Sequence, residues 1–184
     1  MPEATPPPKP TSRNVRARKR EAQWRFITLF VGSVSVVLLI AALVSPNPIM
    51  IEVKVNYEGD LRCRATHGPS GNQLVTDAPV DNNGKGEAFS PTDLVATALA
   101  TCMATVIGII GNRKGLDLDG MTVDVEKHMS TDSPRRIVRL PITIKMPLPA
   151  DHPERPMLET AARSCPVHQS VHPDIDKPIH WVWS

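Results

Sequence analysis

The chain has 184 residues, a formal net charge of only +2, and just three Phe, three Trp and one Tyr. This balance argues against a strongly basic polyanion binder, and so few aromatics leave no stacking platform, so no nucleic-acid partner is expected. Three cysteines (Cys63, Cys102 and Cys165) are too few and too scattered for a disulfide scaffold.

Charge is distributed unevenly. Residues 1–25 carry seven cations, Lys9, Arg13, Arg16, Arg18, Lys19, Arg20 and Arg25, against Glu3 and Glu21. The same stretch is rich in Pro, Ser and Thr with almost nothing to bury, so a disordered basic tail is expected. Phe26 to Val44 then runs nineteen residues without a charge. At about 1.5 Å per residue it would span roughly 28 Å, close to a bilayer core of about 30 Å. Trp24 and Arg25 flank it on one side and SPNP closes it on the other. The expectation is a transmembrane helix over 26–45, an uncleaved signal anchor. The cations would hold the tail in the cytoplasm and leave the following domain outside. A cleaved signal peptide is the rival, but no small-x-small site follows the run. A third reading starts the working protein at Met50, which opens a clean domain and would make it cytoplasmic.

From Ile51 the period changes. Ile51, Val53 and Val55 alternate with Glu52, Lys54 and Asn56, a half-buried strand. Asp60 to His67 reads as a second strand and Gln73 to Thr76 as a third, giving an antiparallel meander. Asp81 to Glu87 is a loop. Ser90 is a helix N-cap, with Pro91 at the first helical position and Asp93 in the capping-box place. The helix should run to about Asn112, and apolar or small residues on every face predict burial all round. Eighteen uncharged positions, 94–111, could also suggest a membrane span. The Ala- and Thr-rich composition and the strand-patterned flanks favour a core helix instead. Met121 to Lys127 and Ile137 to Lys145 read as strands, with Pro141 making the latter an edge or bulged strand. A short helix over Leu158 to Ser164 and a strand over Pro178 to Trp183 complete a β-β-β-α-β-β-α-β order, an α+β domain over 50–184.

Cys102 lies midway along the apolar helix among Ala and Thr, which leave room beside its sulfur. A reactive thiol there needs a cation from elsewhere in the fold, because Arg113 and Lys114 are about three turns away. The alternative is a packed, inert core cysteine. Cys165, His168 and His172 have the spacing of half a zinc site, but no second short-spaced ligand pair exists, so no metal is expected. Capping or surface roles suit the two histidines better.

The run SPTDLVATALATC, the later SCPVHQSV, the 63-position separation of Cys102 from Cys165 and the element order together resemble the OsmC/Ohr family of thiol-dependent hydroperoxide reductases. The resemblance covers about residues 50–184. It implies an intertwined homodimer around buried central helices, with active sites at the subunit interface and no cofactor. By position, Cys102 would be the peroxidatic thiol and Cys165 the resolving thiol. The substrate would be an organic hydroperoxide and the reductant a dithiol. The family holds an Arg against the reactive thiol, for which Arg62 and Arg64 are the candidates. It fixes that Arg with a Glu near the start of the helix, where this chain has Asp93. Nine residues before Cys102, Asp93 falls on the opposite helix face, and capping accounts for it. Two alternatives remain: a catalytically weak or inactive member that binds a small apolar or electrophilic ligand, and a membrane-tethered structural protein with incidental thiols.

Overall fold

The computed structural model describes residues 50–184, so the expected tail and membrane helix lie outside the described residues. β1 (Val53–Gly59), β2 (Arg62–His67) and β3 (Gln73–Thr76) form the antiparallel meander that the alternation predicts. Register places Val55 opposite Ala65, Tyr57 opposite Cys63, and Ala65 opposite Leu74. Residues directly opposite share a face. One face of the sheet is therefore apolar, carrying Val53, Val55, Tyr57, Cys63, Ala65 and Leu74, while Arg64 and Asn56 pair on the other. The apolar face is open: Val53, Val55 and Tyr57 are 55%, 59% and 67% exposed.

α1 (Pro91–Lys114) begins with the expected capping box. Ser90 Oγ accepts the Asp93 N–H at 3.2 Å, and Asp93 Oδ2 accepts the Ser90 N–H at 2.8 Å. It ends at Gly115, whose φ of +66° suits a residue without a Cβ. Earlier in that last turn, a Cβ on Gly111 would lie 2.4 Å from Leu118 Cδ1, so glycine lets the following loop fold back on the helix. Leu99, Met103 and Ile107 are fully buried, each stabilising the fold by about 1.5–3 kcal/mol. By length and composition α1 could cross a membrane, but this stripe packs into the domain core.

Burial is not all round. Ala98, Thr101 and Thr105 are exposed, and Ile109 is 44% exposed. The Thr97, Thr101 and Thr105 hydroxyls donate to carbonyls one turn back, at 2.8–2.9 Å. Because these hydroxyls are satisfied within the helix, the threonine-rich side can accept an apolar cover.

β4 (Thr122–Val125), β7 (Ile142–Met146) and β8 (Ile179–Trp183) form the second sheet in the order β4-β7-β8. β7 is antiparallel to β4 and parallel to β8. Its Ile142, Ile144 and Met146 are buried in the same core cluster as Leu99, Met103 and Ile107. A parallel pair needs a crossover, supplied here by α2 (Arg155–Arg163) and α3 (Pro166–Ser170).

The single strand expected over Ile137 to Lys145 divides in two. β6 (Ile137–Arg139) pairs with the two-residue β5 (His128–Met129), and β7 is the central strand of the other sheet, not an edge. Pro141 sits at the break, where its missing N–H costs no ladder bond and its carbonyl accepts the Glu126 N–H at 3.1 Å. The helix predicted at Leu158 starts earlier, at Arg155, and α3 was not anticipated.

Candidate active site

Two helices and a tight turn bring the thiols together. Cys102 lies on α1, partly exposed, one residue from buried Met103. Cys165 follows α2 directly and caps α3; it is 0% exposed. Its Sγ accepts the His168 N–H at 3.3 Å, and Pro166 at the first helical position makes the turn. Sixty-three positions apart in sequence, Cys165 lies in the core cluster and Cys102 packs against that cluster, near enough to act on the Cys165 thiol. Burial pushes the Cys165 thiol above its ordinary 9.0, and the neighbouring Cys102 adds to the rise. Cys165 is therefore a protonated thiol at neutral pH.

The arginines are placed differently. Arg62 is held by Glu87 and by the fully buried Asp77, 3.7 Å away. Asp77 also accepts the Glu87 N–H at 3.0 Å, a bond that holds its carboxyl below the usual range. Arg64 forms a two-pronged pair with Glu58 at 2.6 and 3.2 Å. Among the described residues, no hydrogen bond or ion pair joins either guanidinium to Cys102. The sequence offered no pattern marking Asp77 or Glu87 as Arg62 partners, since the two acids lie in a loop without periodicity.

Asp93 has a partner besides the cap. Lys127 reaches it at 2.5 Å and donates to Thr92 Oγ1 at 3.0 Å. Partial burial works to raise the Asp93 pKa, but the Lys127 and Ser90 hydrogen bonds outweigh it and hold the carboxyl below its ordinary value. Asp93 thus anchors the start of α1 to the β4–β5 connection, far along the helix from Cys102.

His168 is partly buried, with Nδ1 unpartnered, and His172 is largely exposed. Burial, then the charges of Lys177 and Arg163, push the His168 pKa below 6.5. Among the described residues no group of three or more His, Cys, Asp or Glu side chains could hold a metal ion.

Two hollows flank these groups. An open groove of about 510 Å³ runs along the α1–α2 seam, lined by Val106, Ile110, Met157, Thr160, Ala161 and Ser164 among others; neither sulfur lines it. A second, of about 390 Å³, lies beside the open sheet face and is lined by Tyr57, Leu61, Cys63, Pro91, Thr92 and Arg135 among others. Cys63 thus faces a cleft apart from the Cys102–Cys165 pair.

An α+β domain with a long central helix and two thiols packed in one region defines the class. The family model for OsmC-like protein matches residues 84–177. A solved structure from Psychrobacter arcticus, named for an osmotic stress induced and detoxification response protein, is 46% identical, with TM-score 0.68, over 74% of this chain and 98% of that one. The chain belongs to the OsmC-like family. More distant structures share the fold. One is an organic hydroperoxide resistance protein OsmC from Legionella pneumophila, with 15% identity and TM-score 0.60 over 74% of this chain and 98% of that one. Another is an organic hydroperoxide resistance protein from Elizabethkingia anophelis, with 11% identity and TM-score 0.62 over 76% and 99%. No curated protein sequence matches the chain.

Proposed function

We propose that the chain is a thiol peroxidase that reduces organic hydroperoxides through Cys102 and Cys165. The packing of Cys102 against the core cluster that holds Cys165, near enough to act on its thiol, carries the reading. The Cys102 thiolate attacks the distal peroxide oxygen, the O–O bond breaks, and the alkoxide leaves to be protonated as the alcohol. Cys102 is now a sulfenic acid. The Cys165 thiol attacks that sulfur, a disulfide forms, and the hydroxyl departs as water with the Cys165 proton. A dithiol then restores both thiols. The small side chains around Cys102 and the apolar groove nearby favour a carbon-bearing peroxide over hydrogen peroxide.

The reading includes a homodimer. The open face of β1–β3 and the open side of α1 are two apolar surfaces within one chain that a second copy would cover. The second copy is also the source to which we assign the cation that no described residue of the same chain brings to Cys102, through Arg62 or Arg64. The proposal retains an N-terminal anchor over 26–45 with the domain outside. Digestion of right-side-out membranes checks this, because a Met50 start would leave the protein in the cytosolic fraction.

Turnover with an organic hydroperoxide and a dithiol tests the chemistry. Wild type should turn over, Cys102→Ser should lose activity by at least about a thousandfold, and Cys165→Ser, given peroxide before the dithiol, should consume one equivalent and form no disulfide. Comparable turnover in wild type and Cys102→Ser would sink the proposal. The second reading, a weakly active binder of small apolar or electrophilic ligands, draws on one observation: both arginines are engaged by carboxylates of their own chain. It predicts ligand binding without turnover.

A further inference from the structure

The cycle above does not say which sulfur of the oxidised pair receives the reductant. The two sulfurs differ in access. Cys165 is fully enclosed, in the same cluster as Leu140, Leu158 and Ala162, and its sulfur already faces the His168 amide. Cys102 keeps part of its surface, and Val106, one turn further along the same face of α1, lines the open α1–α2 groove. Thiol–disulfide exchange requires an incoming thiolate to reach one sulfur in line with the bond that breaks.

We propose that the reductant attacks Cys102 and that Cys165 is always the leaving sulfur, an inference that rests on the peroxidase reading. One thiolate of the dithiol bonds to Cys102 Sγ as the Cys102–Cys165 bond breaks. Cys165 departs with the electron pair and takes up a proton. The second thiol of the reductant, deprotonated, then attacks its own sulfur in the mixed disulfide. Cys102 leaves as a thiolate, and the reductant departs as a disulfide, oxidised by two electrons. Burial makes Cys165 the poorer leaving group, which slows the first exchange but does not redirect it. Attack at Cys165 would instead require the core beneath α2 to open.

The test uses the full-length chain carrying only Cys63→Ser, which leaves the core untouched. After oxidation by one equivalent of cumene hydroperoxide, a brief pulse of 2-mercaptoethanol, a monothiol, is quenched with acid and the peptides are mapped. The expected product carries the mercaptoethanol adduct on Cys102 and a free Cys165. An adduct on Cys165, or on both, overturns the inference. Failure to form the disulfide at all would count against the peroxidase reading instead. A second arm is independent of peroxide: with an aromatic disulfide, Cys63→Ser/Cys165→Ser should react at least about tenfold faster than Cys63→Ser/Cys102→Ser. Equal or reversed rates would overturn the inference.

Discussion

Two strands of this domain carry similar alternation and differ in burial. In β7, Ile142, Ile144 and Met146 are sealed into the core with α1; in β1, Val53, Val55 and Tyr57 stand more than half exposed. Alternation decides which face of a strand is apolar, but not what covers it. The difference extends to the chemistry. Cys165 belongs to the closed region and Cys102 packs against it, whereas Arg62 and Arg64 belong to the open sheet and are paired there with acids. Among the described residues, the proposed nucleophile and its candidate activating cations stand apart, which is why the proposed function depends on a second copy.

The largest effect that sharpens this comparison is in the core. Leu99→Ala should cost about 2–5 kcal/mol in urea unfolding, whereas Val55→Ala should cost less than about 1 kcal/mol wherever the sheet face stays open. If a second copy covers that face, the Val55→Ala midpoint will depend on protein concentration. A Val55→Ala cost equal to that of Leu99→Ala at high dilution would erase the distinction between the regions.

Next in size is the joint where α1 begins. Ser90→Ala removes the hydroxyl that accepts the Asp93 N–H and should cost about 1 kcal/mol, read as a shift in the urea midpoint with an unchanged slope. A neutral result would mean that Lys127 and Asp93 hold the helix start without the cap.

The smallest effect is a dependence on pH. Folding lowers the His168 pKa below 6.5, so its contribution is complete above that pH and lost as pH falls through the folded value. Folding raises the Cys165 pKa above 9.0, so its contribution is complete below that pH and lost as pH rises through the folded value. Tm should therefore peak between these limits, and His168→Gln should flatten the acid side alone. A Tm that rises as pH drops below 6.5 would contradict the burial of His168.

Much of the fold was legible because local chemistry and tertiary packing agree. Ser90, Pro91 and Asp93 specify a helix start that the structure reproduces, and the strands of the meander follow their alternation. Pro141 announced an irregularity, but nothing local showed that the chain changes sheets there, because pairing partners lie far away in sequence. α3 was missed because Pro166 reads equally well as a stop for α2 and as the first residue of a new helix. The side of α1 holding Thr101 and Thr105 read as buried because apolar or small residues occupy every face; with the threonine hydroxyls satisfied within the helix, composition alone does not separate covered from open. Of the candidate site, the sequence named Cys102 and Cys165, which pack in one region, and Arg62 and Arg64, which the structure pairs with acids instead. It did not reveal the clamp of Asp77 and Glu87 on Arg62, nor the reach of Lys127 to Asp93, which depend on loop paths without a pattern.

The most direct measurement is the intact mass of the full-length chain after one equivalent of an organic hydroperoxide, beside Cys102→Ser and Cys165→Ser. The account predicts the loss of two hydrogens in the wild type, a trappable sulfenic acid in Cys165→Ser and an unchanged mass in Cys102→Ser. Unreacted thiols in the wild type would contradict it and leave Cys102 and Cys165 as core packing.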